Sequence, residues 1–121
     1  MELTGVYNIF VYGTLRQGDV RASYLSDTDS KFIKNTKTAP KYTLVSLSAF
    51  PAIIEKGNTS VIGELWEVDE RTKRALDTIE GVPFLYMDKE IELEDGTTAI
   101  AYVQEVDKGY PHIESGDWFN I

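Results

Sequence analysis

The sequence contains no cysteine and a single histidine, His112, among its 121 residues. Without cysteine the chain can form no disulfide, no thiolate nucleophile and no cysteine-ligated metal site. One histidine excludes most zinc sites, and it leaves any serine–histidine mechanism dependent on one residue near the C-terminus. If the protein is an enzyme, we therefore expect a carboxylate to act as its acid or base.

Basic residues and long apolar runs are also scarce. Twelve lysines and arginines face 20 acidic residues, and the net charge of −8 repels phosphate backbones and anionic membrane surfaces. We therefore expect no nucleic-acid or membrane partner. No apolar run approaches the roughly 20 residues that span a bilayer, and no basic region followed by an apolar one begins the sequence. We expect a cytoplasmic protein.

The remaining composition is that of an ordinary globular protein, with 42% hydrophobic and 26% charged residues. The length is close to the commonest domain size, so we predict a single domain over residues 1–121. Apolar and alternating patterns predict about six or seven strands, which indicates an α+β fold with a curled or closed sheet. The predicted strands are 6–12, 31–37, 42–47, 53–54, 61–68, 84–94 and 97–106, the last two joined by a hairpin at Glu94-Asp95-Gly96.

Two short helices are predicted. The first covers 19–25, with Val20, Tyr24 and Leu25 on its apolar face. The second begins after Asp69, a good N-cap, and ends at Gly81, a residue that readily adopts the left-handed conformation. Its predicted buried face is Ala75, Leu76 and Ile79, with Arg71, Lys73 and Arg74 in solvent. Between the helices, Phe50-Pro51-Ala52 is predicted to interrupt the sheet and Lys56-Gly57-Asn58 to form a turn.

The first predicted strand stops at a glycine, within Val11-Tyr12-Gly13-Thr14-Leu15-Arg16-Gln17-Gly18. Gly13 tolerates backbone angles closed to other residues and allows a ligand to approach the main chain. The amides around Thr14 and Leu15 have no obvious strand partner, and a helix start follows at Asp19. The loop is therefore a candidate anion site, and a plain turn is the alternative interpretation.

Glu80 is placed unfavourably, one residue before the glycine that ends the second helix. The helix dipole is negative there, so a carboxylate destabilises the helix end by about 0.3–1 kcal/mol. The same field, together with any burial, would raise the pKa of Glu80 towards that of a general base working near neutral pH. Asp77, one turn earlier, could raise it further. The alternative is an exposed glutamate without a catalytic role.

Other candidates are weaker. Glu64 and Glu67 lie on opposite faces of one predicted strand, and we interpret them as rim charges rather than a catalytic pair. His112 lies in a loop-like context that favours a solvent-exposed role. Tyr86 is either a core residue with its hydroxyl bonded or part of a pocket. The stretch 27–30 lacks the glycine and distal glutamate of a calcium loop, so we interpret it as a solvated turn.

Four motifs, taken in order and spacing, resemble the γ-glutamylcyclotransferase-like family. They are Val11 to Gly18, Phe50-Pro51-Ala52, Gly63-Glu64-Leu65-Trp66-Glu67-Val68, and Leu76-Asp77-Thr78-Ile79-Glu80-Gly81 with Tyr86. The resemblance is closest to the γ-glutamylamine cyclotransferase branch, with plant AIG2-like proteins as further relatives. It extends from about Asn8 to the Ser115-Gly116-Asp117-Trp118 tail. It implies a small mixed β-barrel flanked by short helices, which agrees with the α+β prediction.

The resemblance also implies an activity and a site. A γ-glutamyl compound would release 5-oxoproline and a free amine or amino acid when its own α-amino group attacks the γ-carbonyl. Glu80 would be the catalytic acid/base, and neither a metal nor a cofactor is required. We expect a monomer whose partner is the small γ-glutamyl substrate. The implied substrate-binding residues are Tyr12, Gly13, Thr14, Leu15 and Tyr86.

One residue departs from the family pattern. Many relatives have arginine two residues after the tyrosine that Tyr86 matches, whereas this chain has Asp88. The departure bears on the local electrostatics and on the choice of substrate. Two alternatives to the cyclotransferase stay open: a non-catalytic binding or regulatory module on the same fold, and a hydrolase that uses Glu64 or Glu67 as a carboxylate pair.

Overall fold

The protein is described here by a computed structural model that covers residues 6–26 and 28–121. Asp27, part of the weak calcium-loop candidate, lies outside these residues. The described residues form seven strands and two helices. In chain order these are β1 (Val6–Val11), α1 (Ser23–Ser26), β2 (Lys31–Lys37), β3 (Tyr42–Ser46), β4 (Pro51–Thr59), β5 (Ile62–Asp69), α2 (Glu70–Ile79), β6 (Met87–Glu92) and β7 (Thr98–Gln104).

All seven strands belong to one mixed sheet. Its order is β2-β5-β1-β7-β4-β3, and β6 pairs separately with β7. The β1–β7 and β4–β7 pairs are parallel, and the others are antiparallel. Over residues 6–26 and 28–121 no ladder joins β2 to β3, so the sheet is open and the barrel that the resemblance implies is not confirmed.

Strand β7 organises the centre of the sheet because it pairs with three strands. β6 runs along one edge of β7 from Met87 to Glu92. The opposite edge is shared, with β1 at Ile100 and β4 at Val103 and Gln104. β1 and β4 therefore diverge along this edge and leave a gap between them.

The Tyr12 hydroxyl bridges this gap. It donates a hydrogen bond to the carbonyl oxygen of Tyr102 on β7 and accepts one from the amide of Ile53 on β4, at 3.0 Å. Tyr12 is buried, directly after β1. A side chain thus replaces the backbone ladder where β1 and β4 separate.

The second half of β1 is buried on both faces of the sheet, whereas Val6 at its start is 65% exposed. Phe10 and Tyr12 pack into one hydrophobic cluster, and Ile9 and Val11 pack into a second. Because alternate strand residues point to opposite faces, the two clusters lie on the two sides of β1. The sheet therefore has a covered central strand, as expected for its position between β5 and β7.

Helix α2 begins and ends where the sequence predicts. The Asp69 carboxylate accepts a hydrogen bond from the Thr72 amide at 2.8 Å, and Gly81 follows the helix with a φ of 69°. Helix α1 is shorter than predicted, because the Arg21 amide donates to the Thr14 carbonyl at 2.9 Å and not to a helical partner. Val20 is consequently exposed rather than on a buried face. Within the described residues, neither helix is long and apolar enough to cross a bilayer.

The prediction that Lys73 lies in solvent is wrong. Its side chain is only 8% exposed, and its Nζ donates to Asp77 at 2.7 Å and to Asp88 of β6 at 2.9 Å. Burial opposes the charge, but the two carboxylates outweigh it and raise the pKa of Lys73 above its ordinary value. The buried face of α2 consists of Thr72, Lys73 and Leu76, and Ala75 is exposed.

The predicted strand at 53–54 lies within β4, but two other predictions for this segment are wrong. Pro51 begins the strand rather than interrupting the sheet, a position that proline tolerates because it has no amide to contribute. Residues 56–58 lie inside β4 and do not form a turn. The pairing jumps from Tyr42–Thr59 to Thr43–Ile54, so the intervening residues form a bulge in the strand.

The hairpin at Glu94-Asp95-Gly96 is confirmed, with the Leu93 amide bonded to the Thr97 carbonyl at 2.8 Å. Residues 84–86 do not belong to β6, although they were predicted as strand. The amides of Phe84 and Leu85 both donate to the Gly81 carbonyl, at 2.8 Å, and so turn back onto the end of α2.

The C-terminal tail packs against the loop that follows β1. The Trp118 indole nitrogen donates to Asp19 at 3.1 Å, and the Arg16 guanidinium lies 4.0 Å above the Phe119 ring. Arg16 also pairs with Asp117 at 2.7 Å. Trp118 is half-buried and Phe119 half-exposed, so the docking of the tail depends on polar contacts as much as on apolar ones.

We expect Tyr12→Phe to lower the free energy of unfolding by about 1–3 kcal/mol, since the buried Ile53 amide loses its acceptor. Urea denaturation would measure this change. Tyr24→Phe is the control, because Tyr24 is 46% exposed and should change stability by less than about 0.5 kcal/mol. Equal effects of the two substitutions would contradict a stabilising role for the Tyr12 bridge.

Candidate active site

A cavity of about 70 Å³ lies where β1 and β4 diverge. Its walls come from the end of β1 and the following loop, the start of β4, the end of α2, and Tyr102 of β7. The lining residues are Phe10, Val11, Tyr12, Gly13, Thr14, Leu15, Arg21, Phe50, Pro51, Ile79, Glu80, Leu85, Tyr86 and Tyr102. All six residues predicted for the site line this cavity, although they come from two separate stretches of the sequence, 12–15 and 80–86.

Gly13 is required by a close contact. A Cβ at this position would lie 2.8 Å from both Cδ and Cγ of Pro51, closer than real side chains approach. Its φ is not in the left-handed region, so the conformational freedom invoked from the sequence is not the reason for the glycine. The loop that follows β1 therefore packs directly against Pro51, the first residue of β4.

Backbone hydrogen bonds shape the loop after Gly13. The Arg16 amide donates to the Gly13 carbonyl at 3.0 Å, and the Gln17 amide donates to the Glu64 carboxylate at 3.0 Å. Glu64 is 4% exposed and also accepts from the Trp66 indole at 3.0 Å. The interpretation of Glu64 as a rim charge is wrong, because its carboxylate is buried and binds the amide of Gln17 in the loop.

The amides of Gly13, Thr14 and Leu15 are not used in this network. Within residues 6–26 and 28–121 none of the three donates to a protein acceptor. All three residues line the cavity. Amides that line a cavity without a protein partner are available to a bound anion or oxyanion.

Glu80 is the C-terminal cap residue of α2, and it lines the cavity. Its amide donates to the Leu76 carbonyl at 2.8 Å, which places its side chain at the helix end. The side chain is 14% exposed, and no hydrogen bond to its carboxylate is found within the described residues. The nearest cation is Arg21, whose Nη1 lies 3.6 Å from Oε1.

This environment raises the pKa of Glu80 to about 7. Burial is the cause, and the Arg21 guanidinium opposes it. Asp77 does not contribute as the sequence suggested, since its carboxylate is bonded to Lys73 and to the Tyr102 hydroxyl, each at 2.7 Å. Glu80 therefore titrates near neutral pH because the protein leaves its carboxylate poorly solvated.

The three tyrosines of the cavity have bonded hydroxyls. Tyr86 donates to the Pro51 carbonyl at 2.6 Å, Tyr102 donates to Asp77, and Tyr12 bridges β7 and β4. Burial raises the pKa of each phenol above its ordinary value. Tyr86 is thus both a core residue and part of the cavity wall. Among the described lining residues, Glu80 is the carboxylic acid available for proton transfer.

The other sequence candidates lie elsewhere. His112 is bonded to Asp107 at 2.7 Å, with its side chain 49% exposed. Glu67 faces Lys31 at 3.9 Å, and Asp88 is paired with Lys73. None of these residues lines the cavity. A catalytic pair of Glu64 and Glu67 is not formed, because Glu64 is engaged by the loop amide and Trp66.

Sequence reasoning missed Arg21. It lies in a segment predicted as helix, where an arginine is most simply a solvated residue. Its backbone bond to Thr14 turns it towards the loop, and that bond joins residues seven positions apart, which local patterns do not indicate. The missed residue is the cation at the cavity.

A family model described as gamma-glutamyl cyclotransferase, AIG2-like, matches residues 9–120. The chain belongs to this family. The match includes the loop after β1, α2 and the C-terminal tail, and so covers every element that surrounds the cavity.

Individual members of the γ-glutamylcyclotransferase family agree. A Vibrio cholerae protein that is provisionally named a gamma-glutamylcyclotransferase is 42% identical over 91% of this chain and 93% of its own length. Gamma-glutamylaminecyclotransferase A of Danio rerio is 30% identical over 93% of this chain and 74% of its own. The crystal structure of an AIG2-like protein from Mus musculus superposes with a TM-score of 0.76 at 28% identity, over 93% and 88% of the two chains.

We expect Glu80→Gln to stabilise the protein at alkaline pH. The folded-state pKa of about 7 exceeds the unfolded value of 4.5, so folding favours the protonated acid. The stability that Glu80 contributes is complete below the unfolded value and is lost as the pH rises through about 7. Above that pH the variant should exceed the wild type in unfolding free energy by up to roughly 3 kcal/mol. Below the unfolded value the two should coincide.

Urea denaturation across this pH range would measure the difference. Glu67→Gln is the matched control, since its side chain is 37% exposed and paired at the surface. It should show no comparable pH-dependent gain. A Glu80→Gln protein that is less stable than the wild type at alkaline pH would show that the carboxylate anchors the fold.

Proposed function

We propose that this protein is a γ-glutamyl or γ-glutamylamine cyclotransferase that releases 5-oxoproline and a free amine or amino acid. Membership of the γ-glutamylcyclotransferase family supports the reaction class. The observation that carries the proposal is the Glu80 carboxylate, which is buried at the cavity, has no hydrogen-bond donor among the described residues, and has a pKa of about 7. A group that must accept a proton and then return it works best with a pKa near the operating pH.

In the proposed reaction the nucleophile belongs to the substrate. Ionised Glu80 accepts a proton from the α-ammonium group of the γ-glutamyl head. The freed amine attacks the γ-carbonyl carbon, a carbon–nitrogen bond closes the five-membered ring, and the carbonyl oxygen becomes an oxyanion. The protein contributes a folded substrate conformation, because an extended γ-glutamyl chain keeps the amine away from the carbonyl.

The second half of the reaction breaks the original amide bond. Protonated Glu80 returns its proton to the departing nitrogen while the oxyanion collapses to the lactam carbonyl. The free amides of the Gly13–Leu15 segment are suited to stabilise the oxyanion or to bind the α-carboxylate. The ring nitrogen loses the second proton of the original ammonium group, and the departing amine carries it away. The products are 5-oxoproline and a protonated amine, and Glu80 is again ionised. No oxidant, metal or cofactor enters this proton balance.

The alternative of a non-catalytic module on the same fold was raised by Asp88. That carboxylate is bonded to Lys73 at 2.9 Å and does not line the cavity. Asp88 therefore does not place an unfavourable charge beside the substrate. A monomeric state and a cytoplasmic location remain predictions from the sequence.

Mass spectrometry of 5-oxoproline tests the proposal directly, with a panel of γ-glutamyl amines and γ-glutamyl dipeptides as substrates. We expect turnover by the wild type and a loss of at least about 100-fold in kcat for Glu80→Gln, which cannot exchange the proton. Glu67→Gln is the control and should retain wild-type turnover. If Glu80→Gln still cyclises substrate at a near wild-type rate, the mechanism is wrong; if the wild type cyclises none of the panel, the binding-module alternative replaces it.

Gly13→Val tests whether the loop recognises substrate. The new side chain meets the Pro51 ring and must displace the loop or β4, so we expect KM to rise at least about tenfold. Gln17→Val is the control, since it adds the same side chain at an exposed position of the same loop. Thermal melts establish that both variants are folded. A folded Gly13→Val enzyme with an unchanged KM would contradict recognition by this segment.

A further inference from the structure

Arg21 provides the positive charge at the cavity. It is the one cationic residue among the described lining residues, and Glu80 is the one anionic residue. Their side chains are 38% and 14% exposed, and their closest atoms, Nη1 and Oε1, are 3.6 Å apart. That distance is too long for a hydrogen bond between the two groups.

The guanidinium is otherwise unengaged. No side-chain hydrogen bond from Arg21 is formed within residues 6–26 and 28–121, although a guanidinium carries five donors. Its main chain, in contrast, is fixed, because the Arg21 amide donates to the Thr14 carbonyl at 2.9 Å. A tethered backbone and a free, partly exposed side chain leave the guanidinium able to turn towards a ligand in the cavity.

Neighbouring cations cannot substitute for Arg21. Arg16 lies in the loop that follows β1, but its guanidinium is paired with Asp117 at 2.7 Å and lies over the Phe119 ring. Lys73 is buried between Asp77 and Asp88. An anionic ligand group in the cavity therefore has one guanidinium within reach, and that guanidinium is suited to bind a carboxylate with two parallel hydrogen bonds.

The γ-glutamyl head carries its two charges on one carbon, an ammonium group and a carboxylate. We propose that Arg21 is a specificity-determining residue that binds the α-carboxylate of the substrate while Glu80 receives the ammonium group. The Arg21–Glu80 pair of the free protein is exchanged for two pairs with the zwitterion. This assignment rests on the proposed function, and it reserves the Gly13–Leu15 amides for the oxyanion.

The assignment predicts that Arg21 matters only for substrates that carry the carboxylate. The probes are a γ-glutamyl alkylamide and the corresponding 4-aminobutyryl alkylamide, which lacks the carboxylate and cyclises to 2-pyrrolidinone. For Arg21→Met we expect the KM of the γ-glutamyl compound to rise at least about tenfold, the loss of one charged hydrogen-bonded pair. The kcat/KM of the 4-aminobutyryl compound should change by less than about threefold. Arg21→Lys, which keeps the charge, should recover part of the loss.

The assay pH is set above the Glu80 titration, because removing Arg21 withdraws the charge that opposes the raised pKa of Glu80. Arg74→Met is the control, since Arg74 is exposed on α2 and pairs with Glu70 away from the cavity. It should leave both substrates unaffected. Equal losses on both substrates for Arg21→Met would overturn the assignment and show that Arg21 acts through the fold or through Glu80.

A binding measurement separates this inference from the proposed reaction. Calorimetry with 5-oxoproline and 2-pyrrolidinone, which differ by the carboxylate, requires no turnover. We expect the wild type to bind 5-oxoproline more tightly, and Arg21→Met to bind the two compounds alike. Such a result without turnover by the wild type would refute the cyclotransferase and keep the carboxylate site. Turnover by the wild type, with the preference for 5-oxoproline absent or unchanged in Arg21→Met, would refute the role of Arg21 alone.

Discussion

The architecture depends on one hydroxyl group. β1 and β4 cannot both run along the full edge of β7, and the Tyr12 hydroxyl satisfies backbone groups of β7 and β4 where the two strands separate. The separation creates the cavity, and residues next to the ends of the two diverging strands line it. Gly13 follows β1, and Pro51 starts β4. The candidate site is therefore a product of the sheet topology, and the loop lies against Pro51 because the same divergence brings the two together.

The charged groups in and around the cavity fall into two classes. Glu64, Lys73 and Asp77 are surrounded by hydrogen-bond partners, and they fix the loop and α2. Glu80 and Arg21 face each other at 3.6 Å, and neither side chain forms a hydrogen bond with another described residue. A desolvated carboxylate without compensation raises the energy of the folded state, and such groups concentrate where a ligand completes their environment. The groups with partners hold the scaffold, and Glu80 and Arg21 define the candidate site.

Most of the fold could be predicted because its signals are local. The Asp69 cap, the Gly81 stop and the hairpin turn at residues 94–96 each depend on a few adjacent residues. Long-range contacts account for the errors. Lys73 looked solvated because its partner Asp88 lies on another element, and the proline and glycine of β4 looked like breaks because the bulge is defined by pairing with β3. Glu80 was found from its position at a helix end, whereas the role of Arg21 depends on a backbone bond to Thr14 that has no sequence signature.

The contact between Arg16 and Asp117 has a consequence for the order of folding. The two residues are 101 positions apart. β1 and its loop are synthesised early, but the loop gains this contact only when the segment around Asp117 has also been made and has docked. The cavity wall that this loop forms is consequently completed late in folding, by a segment distant from it in the sequence.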